Sequence, residues 1–573
     1  MKKQTIILLS IFFFAILLRI FSINHTLFND EGRPVLAIAS EDSKAIFFAH
    51  DSGHPPFSNW MYYLFYFFLG DHTYTYRLTS LFFSLLSIFL TYLIAKKEFT
   101  EEIALFSVGL LALSAWFVIT SIQIHIDAPF MIFFYLLLLF LFLKYNETEE
   151  KKYLIYLGIT FLFALLTKET AILGAVLVFF FHFFRSKERW NYKPYFYLSG
   201  VFIIAFILFL GFLAFTHIET KGTTLLVFDI ESLKNEYVSG TTTPTGLPFT
   251  LKLIQYTLPF FLLTPLLIGL CLINFQDYLK KKEQYLPYIL WIFFIFGFYS
   301  FAISGVSQSF ERWLIAILPP LAILGGIALE KIHLKKMDWT LLIITTLTAF
   351  FAFILFSTIH PTNLTFYPKE AFLSQVKSVD WNFLVPILGN ASPLGFYIHF
   401  GISIFVWIFS TLLIFFYFVL KDVNIKKKIL ILFLAMSLGL NLLIIEEHSF
   451  GYLYGSTDDI SKELIHWVNT HPVKEPVYVF RNTMINAYYR STNDTFTRKE
   501  KYLTMKSNYR TLDFSNENNI QKIQELQREH ALILILDFPK INKNSLLWQN
   551  LLSCKKEAIF FSQKEEMGFV FQC

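Results

Sequence analysis

The chain has 573 residues, of which 55% are hydrophobic, 19% aromatic and only 16% charged, and its mean hydropathy is +0.52. A soluble domain of this size needs more surface charge than that, so the composition selects lipid as the solvent and excludes an ordinary globular enzyme. The net charge of +5 is modest and sits in short basic clusters between apolar runs, which excludes a nucleic-acid surface and points to membrane topology.

A helix needs roughly 20 apolar residues to cross a bilayer. That ruler predicts about thirteen membrane helices, near 5–23, 77–95, 103–121, 127–144, 153–167, 170–184, 194–216, 251–274, 286–303, 313–330, 339–358, 396–420 and 429–446. The first run is too long for a signal sequence, has Arg19 at its far end and is followed by no small-residue cleavage site, so it reads as a retained helix. In the pair at 153–184, Thr167-Lys168-Glu169 predicts two short helices joined by a tight turn, because charges at mid-bilayer depth are costly.

Placing the N-terminus in the cytoplasm puts Lys96-Lys97, Lys151-Lys152, Lys280-Lys281-Lys282 and Lys426-Lys427-Lys428 inside, and leaves the alternate loops poor in basic residues. This is the positive-inside pattern. Four extracytoplasmic regions follow from it. The first is the loop 24–76, in which an apolar stretch, Phe57 to Leu69, is too short to span and suits the membrane surface. The second is 217–250, Gly/Thr/Pro-rich and a candidate lid. The third is 359–395, and the fourth is the tail.

The tail differs in kind. Strand-like runs at Val477-Tyr478-Val479-Phe480 and Ala531 to Leu536 alternate with helix-like stretches at Asp459 to Thr470 and Asn519 to His530, which predicts a small α/β domain. The expected architecture is therefore an α-helical polytopic membrane protein, with a membrane domain over 1–446 and an extracytoplasmic α/β domain over 447–573. That compartment permits a disulfide between Cys554 and Cys573, whose geometry the sequence leaves open.

Charge at the outer membrane edge supplies the candidate site. Asp30-Glu31 lies just past the first helix, Asp127 opens the fourth, Lys168 sits in the turn between the fifth and sixth, and Arg312 opens the tenth. The acids and Lys168 have ordinary structural alternatives: helix capping for the acids, snorkelling to the headgroups for Lys168. Two acidic and two basic sites at one depth, in a chain poor in charge, point to function instead. Fixed cations stabilise a phosphate leaving group, and a carboxylate activates an acceptor hydroxyl or amine.

The ordered motifs resemble the GT-C glycosyltransferases of the dolichyl-phosphate-mannose protein mannosyltransferase type, a superfamily that includes bacterial aminoarabinose transferases. The resemblance rests on Arg19 and Asp30-Glu31, then Pro55-Pro56, Gly70-Asp71 and Arg77-Leu78. It continues through Asp127, Thr167-Lys168, Arg312-Trp313-Leu314 and Pro319-Pro320, over roughly residues 5–330. It implies a GT-C membrane fold, a polyprenyl-phosphate-linked sugar donor and an extracytoplasmic active site. Asp30, supported by Glu31 and Asp127, is then the catalytic candidate; Lys168, Arg312 and His54 are candidates for the donor phosphate. Where many relatives have Glu-Lys before Pro-Pro, this chain has Gly53-His54, so the relatives' metal ligand is missing at that place. His50, Asp51 and His54 are then the weak candidates for a divalent ion, against ordinary loop polarity. The expected partners are the lipid-linked sugar, a lipid, glycan or protein acceptor, and membrane lipid, but no nucleic acid. The rival reading is a polytopic transporter or flippase of a lipid-linked or anionic substrate. Against it, no two halves of the sequence resemble each other.

Overall fold

A computed structural model describes residues 3–25, 31, 34–35, 38, 43–48, 55–185, 192–219, 257–258, 260–280, 282–302, 311–332, 338–359, 365–366, 378–379, 381, 383–387, 396–450, 455–471, 477–480, 510–512, 532–536, 546–562 and 565–573. Of these, eight helices are long and apolar enough to cross a membrane: Lys3–Ile20, Thr73–Glu98, Asp127–Thr148, Tyr192–Thr216, Trp313–Lys331, Trp339–Ser357, Phe400–Val419 and Val423–Ser449. They carry large apolar side chains outward, among them Phe13, Phe196, Ile203, Ile344 and Phe351. Such continuous apolar exposure requires lipid as the surrounding medium. The fold is thus that of an integral membrane protein.

The other predicted segments are helical too, but shorter or broken. The expected single helix over 103–121 is in fact two, Glu101–Leu113 and Ala115–Thr120, separated at Ser114. Arg19 explains how the break is tolerated. It is fully buried, and its guanidinium donates to the Ala112 carbonyl at 3.3 Å and to Ser121 Oγ at 2.6 Å. A helix interruption frees backbone carbonyls, and a neighbouring side chain can satisfy them. The pair predicted at 153–184 is two helices, Lys151–Leu165 and Ile172–Arg185, with the polar turn between them. The surface stretch of the first loop is the helix Phe57–Leu69.

The chain divides into two compact units. The first comprises 1–23, 42–353 and 403–445; the second comprises 24–41, 354–402 and 446–573. At the centre of the first is the helix Leu318–Lys331, buried from Leu318 through Leu329. It packs against Glu101–Leu113, where Gly326 lets the backbones approach: a Cβ there would stand 2.4 Å from Ser107 Oγ and 2.9 Å from the Ile103 carbonyl.

The second unit contains two sheets. In the smaller, β1 (Thr365–Phe366) pairs parallel with β2 (Phe383–Ile387), which pairs antiparallel with β3 (Phe396–His399). The larger has the strand order β5-β4-β6-β8-β7, with β4 at Val477–Phe480, β5 at Arg510–Leu512, β6 at Leu532–Leu536, β7 at Lys555–Ser562 and β8 at Glu565–Gln572. The helix Gly455–Thr470 packs on it, with Ile460 against Gly568. Ile533, Ile535, Trp548, Phe569 and Phe571 form its core. The small α/β tail is therefore present, and Cys554 and Cys573 are joined in a disulfide with Cα atoms 4.5 Å apart. The predicted helix at Asn519 to His530 and nearly all of the candidate lid at 217–250 lie outside the described residues.

Candidate active site

Asp127 opens the fourth predicted helix, and it does so on a π turn. Residues Asp127–Met131 wind more widely than an α-helix, with the Met131 N–H bonded to the Ile126 carbonyl at 3.1 Å, five residues back. Pro129 sits within the turn and has no N–H to give. Such turns recur at functional sites because they re-aim side chains.

The Lys168 turn is fixed from both sides. Phe57 N–H, just after Pro55-Pro56, donates to the Leu166 carbonyl at 2.9 Å, and Tyr135 Oη donates to the Thr170 carbonyl at 2.9 Å. Lys168 itself has extended backbone and precedes a single 3-10 turn, Glu169–Ala171. The first loop's Pro-Pro segment and the lysine turn, distant in sequence, are thus hydrogen-bonded neighbours.

These constraints bring Lys168 and Asp127 together. Lys168 Nζ lies 2.5 Å from Asp127 Oδ1, and each side chain is about 6% exposed. The ammonium also lies over the Trp313 ring, 5.5 Å from its centroid. Tyr299, from a second π turn at Phe298–Ala302, stacks on that indole with centroids 5.5 Å apart and planes at 25°. Among the described residues, no second hydrogen-bond acceptor meets Lys168 Nζ. An ammonium has three N–H donors, so the buried lysine retains donor capacity.

His125 completes the cluster. Its Nδ1 accepts the Asp127 backbone N–H at 3.0 Å and lies 3.3 Å from Asp127 Oδ2. One nitrogen cannot accept the first bond while donating the second. The tautomer of the imidazole decides which of the two forms.

The predicted site residues fare unequally. Asp127 and Lys168 are paired, and Lys168 is buried instead of snorkelling outward. Arg312 is placed by its backbone only, in the 3-10 turn Glu311–Ile317 beside Trp313. Glu31 is 2% exposed and belongs to the second unit. Asp30, His50, Asp51 and His54 lie outside the described residues. Among the described residues, no three His, Cys, Asp or Glu side chains are grouped as a metal would require. Sequence reasoning missed His125 and Tyr299 and gave Trp313 no role; only the proximity of His125 to Asp127 and of Trp313 to Arg312 hinted at two of them.

Residues 53–215, which include Asp127 and Lys168, match the family described as dolichyl-phosphate-mannose-protein mannosyltransferase. Among solved structures, ArnT from Cupriavidus metallidurans bound to undecaprenyl phosphate is 16% identical with a TM-score of 0.57, covering 98% of this chain and 97% of that one. The same protein in the apo state gives 16% identity and a TM-score of 0.56, with 100% and 98% covered. The chain shares the fold of ArnT. A third structure, the archaeal oligosaccharyltransferase AglB from Archaeoglobus fulgidus, is 13% identical, covers 90% of this chain and 61% of that one, and has a TM-score of 0.42, too low to argue from. No curated protein matches the sequence. Fold similarity thus runs the full length of the chain, whereas the family match is confined to residues 53–215.

Proposed function

We propose that this protein is an inverting glycosyltransferase that moves a monosaccharide from a polyprenyl-phosphate donor to an acceptor at the extracytoplasmic membrane face. The observation that carries this reading is the buried Lys168 ammonium, which retains donor capacity and lies within the segment matched by the mannosyltransferase family. The undecaprenyl phosphate bound to ArnT, whose fold this chain shares, is a lipid phosphate of the kind such a cation would hold.

In the proposed reaction Asp30 takes the proton from the acceptor hydroxyl or amine, with Glu31 in support. The acceptor atom bonds to the anomeric carbon while the bond from that carbon to the phosphate oxygen breaks. The electron pair leaves with the polyprenyl phosphate, and the single displacement inverts configuration. Lys168 and Arg312 stabilise the departing charge, with His54 as a further phosphate contact. Asp127 anchors the Lys168 side chain. Because the Asp127–Lys168 pair is neutral as a unit, Arg312 supplies the net positive charge a phosphate needs. The N-terminus is cytoplasmic and the α/β tail outside, in keeping with the loop charges and with a disulfide in the tail.

The test is sugar release from polyprenyl-phosphate monosaccharides by the purified protein. Asp30→Asn is expected to lower turnover by about 10²–10⁴-fold, the usual worth of a general base. Full activity in that variant removes Asp30 as the base. Wild-type protein that turns over no donor but moves a lipid-linked substrate across vesicles establishes the transporter instead.

A further inference from the structure

A buried cation that must bind a phosphate faces a conflict. It needs partners that hold it in place, yet every carboxylate that does so cancels the charge the ligand is to feel. Lys168 already has one carboxylate, Asp127, at 2.5 Å. Its other close partner among those described carries no net charge: the indole of Trp313, 5.5 Å from Nζ. An aromatic face attracts a cation through its quadrupole and leaves the net charge untouched. The indole plane is fixed in turn by Tyr299, stacked at 25°. Trp313 also follows Arg312 directly on the 3-10 turn Glu311–Ile317.

We infer that Trp313, backed by Tyr299, is a positioning residue for the donor: it holds the Lys168 ammonium beside Asp127 so that a remaining N–H faces the polyprenyl phosphate. The inference rests on the reading of Lys168 as a phosphate contact. It adds a residue that touches the lysine and not the reacting atoms. An apolar aliphatic side chain there fills space but offers the ammonium no quadrupole, whereas phenylalanine keeps a weaker one.

The experiment measures undecaprenyl phosphate binding to the full chain in nanodiscs, together with donor and acceptor KM, for Trp313→Leu and Trp313→Phe in wild-type and Lys168→Met backgrounds. Trp313→Leu is expected to weaken undecaprenyl phosphate binding by about 30-fold, the worth of a desolvated cation–π contact, and to raise the donor KM while leaving the acceptor KM unchanged. Trp313→Phe is expected to restore binding to within about 3-fold of wild type. In the Lys168→Met background the leucine substitution is expected to add nothing, because coupled residues are not additive. The inference is overturned if phenylalanine is as damaging as leucine, or if leucine is equally damaging without the lysine. If Lys168→Met alone binds undecaprenyl phosphate like wild type, the phosphate reading of Lys168 itself fails, an outcome separate from either result at Trp313.

Discussion

At the scale of single residues, the Asp127–Lys168 pair sets the energetics. Two charges about 6% exposed have left water together, and their contact at 2.5 Å offsets the desolvation only while both are present. Removing one partner leaves an uncompensated buried charge, at a cost of about 3–5 kcal/mol, whereas replacing both with apolar residues is often close to neutral. Asp127→Leu is therefore expected to destabilise the protein by that amount. Adding Lys168→Met should recover most of the thermal stability in detergent while turnover stays lost. Failure of the second substitution to recover stability would show that Asp127 acts on something other than Lys168. Both residues were legible as candidates because charge at a membrane edge stands out in an apolar chain. His125 and Trp313 were not, since a histidine in a polar loop and a tryptophan at a helix start are common wherever a chain meets the bilayer surface.

At the scale of elements, the irregular turns carry the site. The π turns at Asp127–Met131 and Phe298–Ala302 and the 3-10 turns at Glu169–Ala171 and Glu311–Ile317 contribute Asp127, Tyr299, Thr170 and Trp313 around Lys168. Regular helices pack behind them, and Leu318–Lys331 approaches Glu101–Leu113 closely. A methyl at Gly326 would meet Ser107 Oγ at 2.4 Å and backbone atoms of Ile103 and Ser107 at 2.9 Å, whereas one at Gly109 meets nothing within 4 Å. Gly326→Ala is expected to cost about 1–3 kcal/mol by overpacking. Gly109→Ala should be neutral or slightly stabilising, because alanine is the better helix former. Thermal unfolding of the two variants side by side checks this, and equal effects would dismiss the close approach. Helix positions were readable from hydropathy. The break at Ser114 was not, because its apolar flanks look continuous and only Arg19, in another helix, makes the interruption affordable.

For the whole molecule, a chain 16% identical to ArnT shares its fold over 98% of its length. Hydrophobic length and loop charge constrain a membrane bundle more than side-chain identity does, so the architecture outlasts the sequence. The sheet of the tail is stapled at its end: the Cys554–Cys573 bond has a sequence separation of 19. Closing a loop of that size is worth about 3 kcal/mol in the chain-entropy account. Cys554→Ser is expected to lower the stability of the tail by that order, read as increased protease sensitivity of the tail relative to the membrane helices. Non-reducing peptide mapping should find the two cysteines joined in protein taken directly from cells; free thiols at both positions would contradict both the disulfide and the oxidising compartment proposed for the tail.

The sequence by itself determined the solvent, the approximate helix positions, the strand Val477–Phe480 and the charged residues that merit attention, because each of these follows from local composition along one dimension. Only the tertiary structure decided that Lys168 reaches Asp127 across 41 positions and that Trp313 lies beneath its ammonium. It also closed Cys554 onto Cys573 where the sequence had left the geometry open. Which side chains meet depends on how each helix is rotated about its axis and where its first turn widens. That rotation is set by packing against other helices, which hydropathy and charge along a single chain do not encode.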